Sequence, residues 1–121
     1  MLFRSISTPM WNYGVPYPLK QYIDTIVQPG INFCDQTQAT LKHLGGRQLV
    51  VFSSAGAVYD GNSQIQDYLN PHLGQVFKLM GFDKQQFVFI QGTSTKTGDE
   101  LLELTKTGAA SAASNVNNAL L

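Results

Sequence analysis

The sequence predicts an α/β domain built on a parallel sheet, and three observations carry that expectation. Leu49-Val-Val-Phe52 and Phe87-Val-Phe-Ile90 are continuous apolar runs of strand length, the pattern of strands covered on both faces. Between them Ile65, Tyr68, Leu69, His72, Leu73, Val76 and Met80 hold a helical period, so the chain reads strand, helix, strand. A right-handed crossover of that kind makes the two strands parallel. A strand end before Pro9, a helix after it and a last helix from Asp99 bring the expectation to about three strands and three helices.

In chain order, Met1-Leu-Phe-Arg-Ser5 lacks the Val, Ile and Leu of a buried parallel strand. Arg4 is out of place there, and Leu-Phe-Arg-Ser is what a common sequencing adapter encodes, so residues 1–5 read as non-native sequence joined to a natural start near Ile6. From Pro16 to Val27, residues Leu19, Tyr22, Ile23 and Ile26 recur at helical spacing, with Pro16 and Pro18 presetting φ at the start and Gln28-Pro29-Gly30 ending the run. Ile31-Asn32-Phe33 leads into a Gln- and Thr-rich stretch from Cys34 to Leu44 that reads as a surface excursion closed by Gly45-Gly46. In the second helix, Asn70-Pro71 marks either a kink or an N-cap and first-position pair, and Gly81 ends it. Asp99-Glu-Leu-Leu-Glu103 opens the last helix, which Thr107-Gly108 is expected to interrupt, leaving 109–121 as a fraying tail. Residues 1–121 read as one domain, without internal repeat or linker.

Composition narrows the function classes. A chain that is 43% hydrophobic and 13% charged can bury a core. Eight basic residues balance eight acidic ones, which argues against a nucleic-acid partner. The single cysteine, Cys34, has no internal disulfide partner and no neighbouring base to activate it. No apolar run reaches membrane-spanning length and no leader pattern stands at the start, so a reducing cytoplasm and no membrane partner are expected. His43 and His72 lack a second ligand at metal spacing, and Ser53 lacks the Gly-x-Ser-x-Gly elbow of hydrolases, so neither a metal nor a protein nucleophile is expected.

The chemistry concentrates in Ser7-Thr-Pro-Met-Trp-Asn-Tyr-Gly-Val-Pro16, a stiff strand-to-helix loop carrying two aromatic faces and an amide. Such loops at the carboxyl ends of parallel strands are common ligand sites. Taken alone, this loop is a Pro-rich turn whose Trp11 and Tyr13 cap a core, and Ser53-Ser54-Ala55-Gly56 is the small-residue turn that leaves a strand.

In order along the chain, Pro9-Met10-Trp11-Asn12-Tyr13-Gly14-Val15-Pro16, Leu19-Lys20-Gln21-Tyr22-Ile23-Asp24, Gln28-Pro29-Gly30-Ile31-Asn32-Phe33, Ser53-Ser54-Ala55-Gly56 and Pro71-His72-Leu73 resemble FMN-dependent NADH azoreductases, which also reduce quinones. The likeness covers about residues 6 to 92. It implies a partial flavodoxin-like three-layer αβα fold with a parallel sheet, its first two strands and their helices missing. It further implies FMN as cofactor, NADH or NADPH as electron donor, a small azo or quinone acceptor and a homodimer. Pro9, Met10, Trp11, Asn12 and Tyr13 would meet the N5 and pyrimidine edge of the flavin. Ser53, Ser54, Ala55 and Gly56 would offer amides where charge develops at N1 and O2 on reduction. Phe33 matches an aromatic that leans over the partner subunit's flavin, and equally fits an ordinary buried aromatic. Trp11 and Tyr13 replace a frequent Tyr and Phe, whereas Ser54 for Arg and Ala55 for Gly remove side-chain contacts the family makes. The resemblance places no catalytic side chain, because the flavin carries the chemistry. A flavodoxin-like sheet holds the FMN phosphate after its first strand, so weak or undetectable flavin retention on purification and self-association through an open sheet edge are expected of these 121 residues. A catalytically silent flavodoxin-like binding module is the alternative reading.

Overall fold

The computed structural model describes residues 3–34, 37, 39–40, 45–61 and 64–118, with the side chains of 3, 34, 39 and 40 left aside. His43 and the Cys34 side chain therefore lie outside the described residues. In chain order the elements are β1 (Phe3–Pro9), α1 (Tyr17–Ile26), β2 (Phe33–Cys34), β3 (Ala39–Thr40), β4 (Gln48–Ser54), α2 (Leu69–Leu79), β5 (Lys84–Ile90) and α3 (Gly98–Asn118). β1, β4 and β5 form a sheet in that order with both pairs parallel, and β2 and β3 form a small antiparallel pair.

Strand alternation divides the β4 residues between two layers. Leu49 and Val51 pack with Ile23 of α1 and with Leu69, Leu73 and Phe77 of α2 in one buried cluster, against which Ile6, Met10 and Leu19 lie. Each fully buried Leu of this cluster contributes roughly 1.5–3 kcal/mol. On the other face Val50 and Phe52 look toward Ala109, Ala112 and Val116 of α3. The result is the expected helix, sheet, helix layering with all three strands pointing their carboxyl ends the same way.

Four elements depart from the sequence expectation, each for a physical reason. β1 begins at Phe3, with Arg4 opposite Leu49 and Ser5 opposite Val50. Both side chains are exposed, which a strand at the edge of a sheet tolerates and a central one does not. β5 is the opposite edge, so Phe87 is partly exposed rather than covered on both faces. α2 starts at Leu69, leaving Ile65 outside it; Asn70 and Pro71 sit in its first turn, where a missing N–H costs nothing. α3 is not interrupted at Thr107-Gly108 but runs on to Asn118, with Ala112 5% exposed. Gly108 permits this: a Cβ there would stand 2.3 Å from Val88 Cγ1, so the glycine lets α3 lie directly on β5.

Candidate functional site

Parallel pairing brings three loops to one end of the sheet. Pro9 is opposite Ser54, and Ser54 is opposite Ile90, so the segments that follow β1, β4 and β5 leave side by side. The Met10 N–H donates to the Ser54 carbonyl at 2.7 Å, and the Ala55 N–H to the Ile90 carbonyl at 2.9 Å. The loops starting at Pro9 and at Ser53 are thus adjacent, as a shared ligand site requires.

Trp11 to Gly14 forms a tight turn closed by reciprocal bonds, Trp11 N–H to Gly14 O at 3.2 Å and Gly14 N–H to Trp11 O at 3.0 Å. Its central residues both have positive φ, 48° at Asn12 and 68° at Tyr13. Asn enters that region readily; Tyr does so at a cost of about 1–2 kcal/mol. Trp11 is 57% and Tyr13 49% exposed, so the turn spends backbone strain to hold two aromatic faces in the open. Among the described residues no hydrogen bond engages the Asn12 amide or side chain. A strained turn with open π-faces and an unused amide fits a planar, hydrogen-bonding ligand.

The β4 loop divides its residues between support and presentation. Ser53 is 2% exposed, and its hydroxyl points into the α2 layer, where Oγ donates to Asn70 Oδ1 at 2.9 Å. Ala55 is also buried, and its carbonyl accepts from Thr93 N–H at 3.0 Å. Ser54 faces the other side and lines a cleft of about 410 Å³ with Ser7, Pro9, Phe52, Thr93 and Leu101. A Cβ at Gly56 would lie 2.6 Å from Ser94 Oγ, so any side chain there requires the exposed Ser94 hydroxyl to turn away. Of this loop's backbone groups, the Ala55 N–H and carbonyl and the Gly56 carbonyl are taken by Ile90, Thr93 and Ser94, which leaves the Gly56 N–H without a hydrogen bond among the described residues.

Phe33 is 7% exposed and lies at the far end of α1 from the turn, about 15 Å along a ten-residue helix. Within one chain it does not join the two loops. His72 is half-buried in α2, and among the described residues no group of three or more His, Cys, Asp or Glu converges as a metal site.

Residues the sequence reading passed over complete the site. Gly92, Thr93 and Ser94 donate to the carbonyls of Ala57, Ala55 and Gly56 at 3.0, 3.0 and 3.3 Å, zipping the third loop onto the second. Gln91 Oε1 accepts the Tyr59 N–H at 2.6 Å, and the Tyr59 ring tilts against Phe89 with centroids 5.7 Å apart. Loss of solvent around its phenol, then the neighbouring Tyr13 and Asp67, push the Tyr59 pKa up. Tyr59, Gln66 and Asp67 line a second hollow of about 340 Å³. The parallel order itself placed the loop after Ile90 at this end, a signal available in the sequence.

The sequence matches the family model described as Flavodoxin-like fold over residues 6–112. It is 38% identical over 105 residues to an FMN-dependent NADH:quinone oxidoreductase 1 of Bradyrhizobium diazoefficiens, covering 84% of this chain and 50% of that protein. It is 30% identical over 87 residues to an FMN-dependent NADH:quinone oxidoreductase of Pseudoalteromonas atlantica, covering 72% and 42%. The backbone superposes on a Bacillus anthracis FMN-dependent NADH-azoreductase crystallised with FMN at a TM-score of 0.80 and 24% identity, over 93% of this chain and 55% of that one. The chain thus spans about half the length of the curated relatives it matches.

Proposed function

Because the chain belongs to the family of the flavodoxin-like fold, we propose that it is part of an FMN-dependent NAD(P)H oxidoreductase that reduces quinone or azo acceptors. The observation that carries this reading is the adjacency of the Trp11–Gly14 turn and the Ser53–Gly56 loop, tied through Met10 and Ser54. The backbone of Met10 to Tyr13 and the Asn12 amide would hold one edge of the ring system. The exposed Trp11 and Tyr13 faces would flank it and exclude water on that side. The Gly56 N–H, at the end of the Ser53–Gly56 loop, would meet the pyrimidine edge, where an oriented N–H favours developing negative charge. Bound flavin supplies hydride acceptance from the nicotinamide and two-electron delivery to the acceptor. Tyr59, on the segment that follows Gly56, would offer its phenol hydroxyl as a hydrogen-bond donor to an acceptor oxygen.

In this reading the enzyme is a homodimer, and Phe33 serves the partner's site. It works in the reducing cytoplasm. Among the described residues no helix is long and apolar enough to cross a membrane. The alternative is a catalytically silent flavodoxin-like binding module. Flavin fluorescence titration of the chain, followed by NADH oxidation with a benzoquinone and added FMN, separates them. Saturable FMN binding with quinone-dependent turnover supports the enzyme. Absence of any flavin binding overturns it.

A further inference from the structure

The first turn of α2 touches both loops at once. Asp67 Oδ1 accepts the N–H groups of Leu69 and Asn70 at 2.8 and 3.0 Å, capping the helix from outside it. Its second oxygen accepts Asn70 Nδ2 at 2.7 Å, which turns the Asn70 amide so that Oδ1 receives the Ser53 hydroxyl. One residue along, the Tyr68 N–H donates to the Tyr13 carbonyl at 3.0 Å and so holds the strained turn. A single four-residue segment, 67–70, therefore grips the carboxyl end of β4 through Ser53, next to its loop, and the β1 loop through Tyr13.

We infer that Asn70, oriented by Asp67, is a positioning residue that sets the spacing between the two loops and thereby the fit of the flavin's edge. The donor pattern is directional. The Ser53 hydroxyl donates a hydrogen bond to Asn70 Oδ1, Asn70 Nδ2 donates one to Asp67 Oδ2, and each acceptor is used. Asn70→Asp leaves the Ser53 link but sets two carboxylates face to face. Asp67→Asn keeps an oxygen for the helix amides but sets two NH2 groups face to face. Combining them restores complementarity, because Asn at 67 donates to Asp at 70, which still accepts from Ser53.

The experiment compares the parent chain, Asn70→Asp, Asp67→Asn and the double swap by amide hydrogen exchange and by FMN fluorescence titration. Exchange at Met10, Gly14, Ala55 and Tyr68 should rise about tenfold in each single variant, as for the loss of one charge-assisted hydrogen bond. The Met80 amide, bonded to Val76 at the other end of α2, should not change. The double swap should return the four amides to parental rates, and FMN affinity should fall and recover with them. Single variants without local effect, or a double swap as loose as either single, overturn the inference. So does FMN affinity that stays level while exchange rises and recovers, because the network then orders backbone without serving the ligand. The affinity readout rests on the flavin reading. A parent chain that takes up no FMN at any concentration overturns that reading, while exchange alone still decides whether segment 67–70 sets the loops.

Discussion

Pro9 and Ser54 are the last ladder pair of β1 and β4, and the Met10 N–H carries the pairing one residue further by bonding the Ser54 carbonyl at 2.7 Å. This relationship makes one surface of two loops, although Met10 and Ser54 stand 44 residues apart in sequence.

Asn12 sits at φ 48° with its amide unused, so substitutions there separate conformation from contact. Asn12→Gly suits the left-handed backbone and should change stability by no more than about 0.5 kcal/mol. It should still weaken FMN binding by about tenfold, the effect of one lost hydrogen bond. Asn12→Ala should add about 1 kcal/mol of strain to the same loss of affinity. Thermal melts beside flavin titrations check both, and parental affinity in Asn12→Gly would show that the side chain is not a ligand contact.

Tyr13 presents the converse case, with φ at 68°. Tyr13→Gly should stabilise the turn by about 1 kcal/mol while removing an aromatic wall. Stability up and flavin affinity down is the expected pair of results. Loss of both in denaturant unfolding and flavin titration would mean that the ring supports the core instead.

Gly108 is where α3 meets Val88. Gly108→Ala should destabilise by about 1–3 kcal/mol, because Val is stiff and the helix must move off the strand. Val88→Ala in the same chain should recover part of the loss. Urea midpoints of the two singles and the double measure the coupling, and strict additivity would argue against the close packing.

Tyr59 gives a pH signature. Its raised pKa means the folded chain keeps a proton that the unfolded chain releases, so this contribution to stability holds below the unfolded value, about pH 10, and is lost as pH rises through the folded one. Asp67→Asn removes one of the neighbouring charges and should move the Tyr59 titration downward. Burial remains the larger cause, so the shift should be partial. Ultraviolet phenolate absorbance, with Tyr59→Phe as the reference, reads it.

What the sequence revealed follows from which forces are local. Leu49 to Phe52 announced a covered strand through apolarity alone, and Pro16 and Pro18 announced the start of α1. The turn at Trp11–Gly14 was located by residue type, yet its positive φ at Tyr13 was not, since no propensity favours Tyr there. Thr107-Gly108 was read as a breaker because glycine weakens an isolated helix; against Val88 its missing side chain is what packing needs. Ser53 reads in the sequence as a source of backbone amide; that its hydroxyl turns inward to Asn70 follows from strand alternation and the packing of α2, which residue type does not announce. Asp67 was passed over because its role depends on Asn70 and Ser53 lying near it, a contact set only by the crossover.

The central claim is that the loops after β1 and β4 form one flavin-binding edge. Two-dimensional amide NMR of the chain, titrated with FMN into the millimolar range so that weak binding is still seen, tests it most directly. The account predicts saturable shifts at Met10 to Gly14 and at Ser54 to Gly56, smaller ones at Thr93 and Ser94, and none at Phe33 or along α3. Shifts confined to one of the two loops, shifts clustered elsewhere, or no shifts at all would contradict it.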